Sequence, residues 1–214
     1  MENNTGYKNK STGEQITGQK FSTSDPAHRG DNHVIGLGYG GARAAIYAWQ
    51  QWVRGGFTVV SDPQNAEVPD GIHLIRFRSP RIRVYSGRMG EFSLPDMDEP
   101  LHLPEELNQV LSEEGRFILL AALGGYTGTK MAEALSLRLQ SEQKDFVVLC
   151  SLPFRFEGRT RNRIAREALE RMKTIPDCHS FALDSLRTAN PGMLLSEAFR
   201  AGDEAFYRFL VSIL

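Results

Sequence analysis

Apolar positions along the chain switch repeatedly between a period near two and a period near 3.6. Residues 33–37 form a short apolar run ending in glycines, and 42–53 follow with Ala45, Ile46, Trp49, Trp52 and Val53 at helical spacing. Residues 57–60 are β-branched and end at Ser61-Asp62-Pro63, while 72–77 and 82–85 alternate apolar with polar or basic residues, as half-buried strands do. Pro104-Glu105-Glu106 puts proline and acids in the first turn of a helix running to about 113. The continuously apolar stretch 117–123 predicts a strand covered on both faces. Helix 129–140, strand 146–149, charged helix 160–172, strand 179–183 and a long helix over 194–214 complete the pattern. The order strand, helix, strand, hairpin, helix, strand, helix, strand, helix, strand, helix predicts an α/β fold: a doubly wound, mostly parallel sheet with helices on both faces. Ligands of such sheets sit at the carboxyl ends of the strands, so the loops after the strands matter most.

Residues 1–32 break the pattern. They are rich in Asn, Thr, Ser, Gly and Lys, with Ile16 and Phe21 as their strong apolar anchors. Such a segment buries too little surface to offset its ordering entropy, so the expectation is a disordered polar tail, with a partner-binding arm as the alternative. The remainder, 33–214, is expected to be one domain. Composition adds exclusions. With 25 Lys plus Arg against 26 Asp plus Glu, the net charge of -1 gives no global field for nucleic acid. Basic runs (Arg155, Arg159, Arg161, Arg163, Arg166 and Arg76, Arg78, Arg81, Arg83, Arg88) read as solvated faces by default, leaving room for peripheral contact with anionic lipid or an acidic partner. Cys150 and Cys178 alone make neither a disulfide framework nor a four-cysteine zinc site, and no metal ligands are assigned. No apolar run reaches the roughly 20 residues of a membrane-spanning helix, and the cytoplasm is the default address.

Two glycine-rich loops carry the candidate chemistry. Gly36-Leu37-Gly38-Tyr39-Gly40-Gly41 follows the first strand and opens a helix, where glycines admit a ligand to the backbone and the helix N-terminus offers free N–H groups. Read as Gly36-x-Gly38-x-x-Gly41 it is also a dinucleotide fingerprint, with Asp62 as the acid after the second strand, so an NAD-binding oxidoreductase is one reading. A plain packing turn is another. Gly124-Gly125-Tyr126-Thr127-Gly128-Thr129 repeats the arrangement after the most apolar strand. Two such turns can converge on one polyphosphate, with the Thr127 and Thr129 hydroxyls adding donors.

The second loop resembles the tubulin/FtsZ signature Gly-Gly-Gly-Thr-Gly-Thr. Further motifs follow in the family's order: the stretch from Val34 to Gly41; Ser61-Asp62-Pro63-Gln64; Pro153-Phe154-Arg155-Phe156-Glu157-Gly158 with Arg161; and Ala198-Phe199-Arg200-Ala201-Gly202-Asp203. The resemblance, over about 33–212, implies the Rossmann-like nucleotide-binding domain of that family and a guanine nucleotide, GTP or GDP, with Mg as a further expectation beside it. It implies Gly36, Gly38, Gly40, Gly41, Gly124, Gly125, Tyr126, Thr127, Gly128 and Thr129 around the phosphates, Glu157 on the ribose, Arg161 at ribose or phosphate, Phe199 stacked on guanine and Asp203 on its edge. A carboxylate accepts both guanine N1–H and N2–H, a donor pair that adenine lacks.

The departures set the functional expectation. Tyr126 replaces a glycine, Arg43 an asparagine, and Lys130 another glycine, so both cations are candidate phosphate contacts. Ser86-Gly87-Arg88-Met89-Gly90 is a weak candidate for the loop that senses the γ-phosphate, and Asp184 for a sugar contact. The family's Asn-x-Asp-x-x-Asp hydrolysis loop and second domain are absent from these 214 residues. The expectation is therefore a nucleotide-binding domain without the activation domain, serving as a nucleotide-dependent assembly or regulatory module with weak or no intrinsic hydrolysis. Alternatives are a nucleotide-free scaffold with Tyr126 filling phosphate space, or a GTPase completed by a partner's acids, for which Asp96, Asp98 and Glu99 are a candidate cluster in trans. Self-association, or another protein, is expected on the C-terminal helix through Phe206, Tyr207, Phe209 or Leu210.

Overall fold

The computed structural model describes residues 32–51, 53–62, 68–87, 90–189 and 192–214. The expected tail falls outside the described residues except for Asn32, which opens the first strand; Trp52, Pro63, Gln64, Arg88 and Met89 also lie outside. The chain runs β1 (Asn32–Leu37), α1 (Gly38–Gln50), β2 (Gly56–Ser61), β3 (His73–Arg76), β4 (Arg81–Ser86), β5 (Gly90–Pro95), α2 (Glu106–Ser112), β6 (Arg116–Ala122), α3 (Tyr126–Ser141), β7 (Phe146–Leu152), α4 (Arg159–Arg171), β8 (Cys178–Ala182), α5 (Leu183–Ala189) and α6 (Leu195–Ile213).

The described residues form a six-stranded sheet in the order β3-β2-β1-β6-β7-β8. Every neighbouring pair in it is parallel, with Leu37 level with Val60 on one side and Ala121 on the other. Alternation along the strands sorts two apolar layers. Ile35, Leu37, Leu119, Ala121, Val148 and Cys150 face α2, α3 and α4; Val34, Ile118, Leu120, Val147 and Leu149 face α1 and α6. Both faces being covered explains why β1, β6 and β7 read as unbroken apolar runs. The sheet is thus the doubly wound one that the periodicity predicts.

Two elements differ from the sequence pattern. The segment read as a hairpin, 72–77 with 82–85, is divided: β3 joins the main sheet beside β2, and β4 pairs antiparallel with β5 in a separate two-stranded sheet. Phe77 stays tied to the main sheet, its N–H donating to the Ser61 carbonyl at 2.9 Å, and 77–80 offers no glycine for a tight reversal, whereas Gly87 and Gly90 flank the β4–β5 turn. The second difference concerns α6. Phe206 and Leu210 are buried, and Tyr207 and Phe209 pack against the α1 layer, so the helix face expected to lack cover is the face that seats α6. Each fully buried side chain of this kind is worth roughly 1.5–3 kcal/mol. The exposed apolar residues of the segment are instead Leu194, Leu195, Val211 and Leu214. Among the described residues, no helix is long and apolar enough to cross a membrane.

Candidate functional site

Strand order reverses between β1 and β6: the chain leaves β1 toward β2 and β3, then returns to lay β6 on the opposite side. That switch point opens a crevice beyond the carboxyl ends of the strands, which is where ligands of such sheets bind. Both glycine loops stand there, because one follows β1 and the other β6. They touch: a Cβ at Gly38 would come within 2.8 Å of the Gly128 backbone nitrogen and 3.4 Å of Thr127 Cβ. The convergence expected of two phosphate-type turns is present.

Within the loops the glycines answer different demands. A Cβ at Gly40 would strike Ala122, one at Gly41 the Leu120 carbonyl, and one at Gly36 or Gly128 would lie 2.5 Å from the carbonyl of Gly41 or Ala122. These four let α1 and α3 approach the sheet. Gly38 and Gly124 take φ of 68° and 98°, the left-handed region. Gly125 stands apart. Its backbone is extended, at φ -107°, and a Cβ there would meet nothing closer than Arg161 Nη2 at 3.9 Å. Packing does not demand glycine at 125, so the cradle it leaves is available to a ligand. The helix ends agree. Neither α1 nor α3 has a side-chain N-cap or an acid in its first turn, unlike α6, whose Glu197 caps the Leu194 N–H at 2.8 Å. Two sets of first-turn N–H groups and two positive dipole ends therefore point into one crevice.

Tyr126 and Thr129 serve the chain itself. Tyr126 is 2% exposed; its ring turns into the core, parallel to Phe77 at 6.3 Å, and its hydroxyl donates to the carbonyls of Glu99 and Pro100 at 3.1 and 3.2 Å. Burial pushes its phenol pKa up. The reading in which Tyr126 fills phosphate space is thereby corrected. The only described non-glycine residue at positive φ is Gln143, so tyrosine costs no backbone strain here. Thr129 Oγ1, also buried, accepts the Gly124 N–H at 2.9 Å and pins the loop it belongs to.

The crevice continues into a cleft of about 530 Å³, its open mouth included, lined among others by Gly40, Glu157, Arg161, Phe199 and Asp203. Glu157 arrives there through the turn after β7: its Oε1 accepts the Phe154 N–H at 2.9 Å, and its Oε2 pairs with Arg161 Nε at 3.2 Å. Arg161 in turn lies against the second loop, since a Cβ on Gly124 would sit 2.6 Å from Arg161 Cγ. At the far end, Phe199 meets Phe154 edge-on at 5.7 Å, and Asp203 lies one turn along the same helix face. Burial raises the Asp203 carboxyl pKa, and the Arg43 guanidinium beside it pulls the other way. Arg43 Nη2 donates to Asp203 Oδ2 at 2.6 Å while its guanidinium lies 5.6 Å from the Phe199 ring centre and 5.9 Å from that of Tyr39.

Several expected contacts go elsewhere. Arg43 serves Asp203, not a phosphate position. Asp184 Oδ2 accepts the Arg155 N–H at 3.0 Å and supports the turn after β7. Lys130 is half-buried on α3 and is not among the cleft residues. The acidic turn is held by Asp96, whose Oδ1 accepts the Asp98 N–H at 3.1 Å, and by Tyr126. Sequence reasoning missed Tyr39, whose place one turn before Arg43 on α1 was the available signal. Among the described residues, no group of three or more His, Cys, Asp or Glu is arranged to hold a metal ion.

No family model matches the chain. It is 26% identical over 181 residues to the cell division protein FtsZ of Aquifex aeolicus, an alignment covering 79% of this chain and 47% of that one. In fold it superposes on an FtsZ dimer structure from M. jannaschii with a TM-score of 0.62 at 20% identity, covering 84% of this chain and 53% of the other. A GTPγS-bound protofilament of CetZ2 from Haloferax volcanii gives 0.59 at 19% identity, with 85% and 57% covered. The chain spans about half the length of the FtsZ it matches. In sequence this chain is similar to FtsZ, and in fold to solved structures of the tubulin/FtsZ family.

Proposed function

We propose that the chain binds a guanine nucleotide in this cleft and works as a nucleotide-dependent assembly or regulatory module with weak or no hydrolysis of its own. The observation that carries the reading is the meeting of both glycine loops and both uncapped helix N-termini at one end of a cleft whose other end holds Phe199 and Asp203. The backbone N–H groups after Gly38 and Gly125 bind phosphate oxygens, with Gly124, Gly125, Thr127 and Gly128 shaping the cradle and Arg161 beside it. Glu157 takes the ribose, Phe199 stacks on the base, and Asp203 accepts from its N1–H and N2–H. Mg bound with the nucleotide would neutralise phosphate charge. The GTPγS-bound protofilament of CetZ2 supports both nucleotide and self-association for a protein of this fold.

Hydrolysis needs a group that positions and activates water. The two carboxylates lining the cleft, Glu157 and Asp203, are both held by arginines, which supports slow turnover unless a partner supplies an acid. A one-loop NAD site leaves the second loop and α6 without a role. The test is the nucleotide content of the purified protein, followed by titration with GTP, GDP, ATP and NAD. Selective guanine binding is the expected result, and equal binding of ATP, or preference for NAD, would overturn it. Light scattering with and without GTP then reads assembly, with a GTP-dependent rise expected.

A further inference from the structure

The base end of the cleft already contains a planar group that donates hydrogen bonds, and it comes from the chain itself. Arg43 projects from α1 so that its guanidinium lies 5.9 and 5.6 Å from the ring centres of Tyr39 and Phe199, with Nη2 donating to Asp203 Oδ2 at 2.6 Å. A guanidinium is a flat N–C–N unit whose N–H bonds lie side by side in its plane. The edge of guanine that carries N1–H and N2–H contains the same unit. We propose that Arg43 is an internal stand-in for the base, seated on Asp203 and Phe199, and that a guanine nucleotide enters by displacing it. The inference rests on the base site assigned under the proposed function and adds the regulation of that site.

The charges around the site make the exchange workable. The Asp203 side chain is 14% exposed, so its carboxylate has lost most of its water and needs a donor. Arg43 supplies one. The other arginine of the cleft, Arg161, is engaged with Glu157, and among the described residues no second cation is paired with Asp203. A ligand that evicts Arg43 without replacing its donors leaves a desolvated carboxylate, which is costly. Guanine brings the replacement and adenine does not. Arg43 is also free to leave: its side chain is 32% exposed and stands on a flexible three-carbon stem at the rim, so the released guanidinium passes into water. Binding is thereby weakened by the fraction of molecules in which Arg43 holds the site.

The experiment is GDP titration by calorimetry on the wild type, Arg43→Ala and Asp203→Ala, with melting curves to establish that each is folded, and side-chain ¹⁵N spectra of the arginines with and without GDP. Arg43→Ala is expected to bind GDP more tightly by on the order of fivefold, the scale of one charge-assisted hydrogen bond discounted for its exposure. The Arg43 Nε–H signal is expected to be sharp and shifted without nucleotide and to move toward that of a solvated arginine with it. Wild type that selects GDP, with Arg43→Ala binding it equally or more weakly, would overturn the stand-in while leaving the nucleotide site intact. Absence of guanine-nucleotide binding in wild type and Arg43→Ala alike would overturn the site, and the stand-in with it. An Arg43 signal that is unmoved by GDP while GDP binds would also overturn the displacement.

Discussion

The two ends of the cleft are built from different materials. The end beneath β1 and β6 is backbone: glycines, helix N-termini and one buried threonine, all fixed by the way α1 and α3 lie on the sheet. The end against α6 is side chain: Phe199, Asp203 and Arg43 meet across elements whose residues are 160 positions apart in sequence. Apart from Gly125, the glycines of the first end cannot change without disturbing the fold. The second can change its ligand while the sheet beneath it stays as it is. In the proposed function, general affinity for phosphate belongs to one end and discrimination between bases to the other.

The widest separation should come from Gly41→Ala against Asp203→Asn. A methyl at 41 would strike the Leu120 carbonyl in the middle of the sheet, so a loss of about 2–3 kcal/mol of stability is expected, or roughly 5–10 °C in Tm. Asp203→Asn should leave Tm within a few degrees and weaken GTP by about 10–100-fold with little change for ATP, since hydrogen bonds to a charged group are worth about 1.5–3 kcal/mol. Equal losses for GTP and ATP would move base selection away from α6. Gly125→Ala sharpens the contrast from inside the backbone end. Nothing in the protein opposes that Cβ, so melting is expected to be unchanged, while GTP, GDP and ATP weaken together by about tenfold through lost phosphate approach. A fall in Tm with intact binding would reassign Gly125 to packing.

The same division explains what could be read from the sequence. The parallel sheet and the two loops were legible because burial on both faces and tight helix approach write themselves into adjacent residues, as apolar runs and as glycines at 36, 40, 41 and 128. The base end was legible only through resemblance, since one phenylalanine and one aspartate on an amphipathic helix are ordinary. The partner of Arg43 was not legible at all, because a charge on α1 reads as a phosphate contact until the fold brings Asp203 beside it. Tyr126 was readable as a departure from the glycine pattern, but its hydroxyl's carbonyl partners lie some distance back along the chain, in the loop before α2. The β3–β4 region failed for a related reason: alternation identifies a strand, while its neighbour is chosen by sheet packing.

The pH response isolates the base end. Burial holds the Asp203 carboxyl above its ordinary value despite Arg43, and only the ionised form accepts both guanine donors. GDP affinity should therefore be full at neutral pH and begin to fall at a higher pH than an ordinary carboxylate would dictate. Stability runs the opposite way at this group. A folded-state pKa above the unfolded one means that ionisation is disfavoured by the fold, so the contribution of Asp203 to stability falls as pH rises through that window. Titrations of GDP and melting between pH 4 and 7, with Asp203→Asn as the flat reference, check both signs; an affinity profile that Asp203→Asn leaves unchanged would assign the pH dependence elsewhere.

The smallest effect tests whether the core side of the second loop is independent of its ligand side. Tyr126 enters α3 beside Gly125, yet its ring and hydroxyl serve the Phe77 contact and the carbonyls of Glu99 and Pro100. Tyr126→Phe keeps the ring and removes the hydroxyl. The expected loss is about 1 kcal/mol of stability, with nucleotide affinity unchanged, because the backbone N–H at 126 stays where it is. Truncation to glycine is a different experiment, since it removes the ring as well and should cost about 3–5 kcal/mol. If Tyr126→Phe weakened GTP without lowering Tm, the 96–100 turn would have to be coupled to the phosphate cradle through that one hydroxyl, and the two ends of the cleft would no longer be the right division of the site.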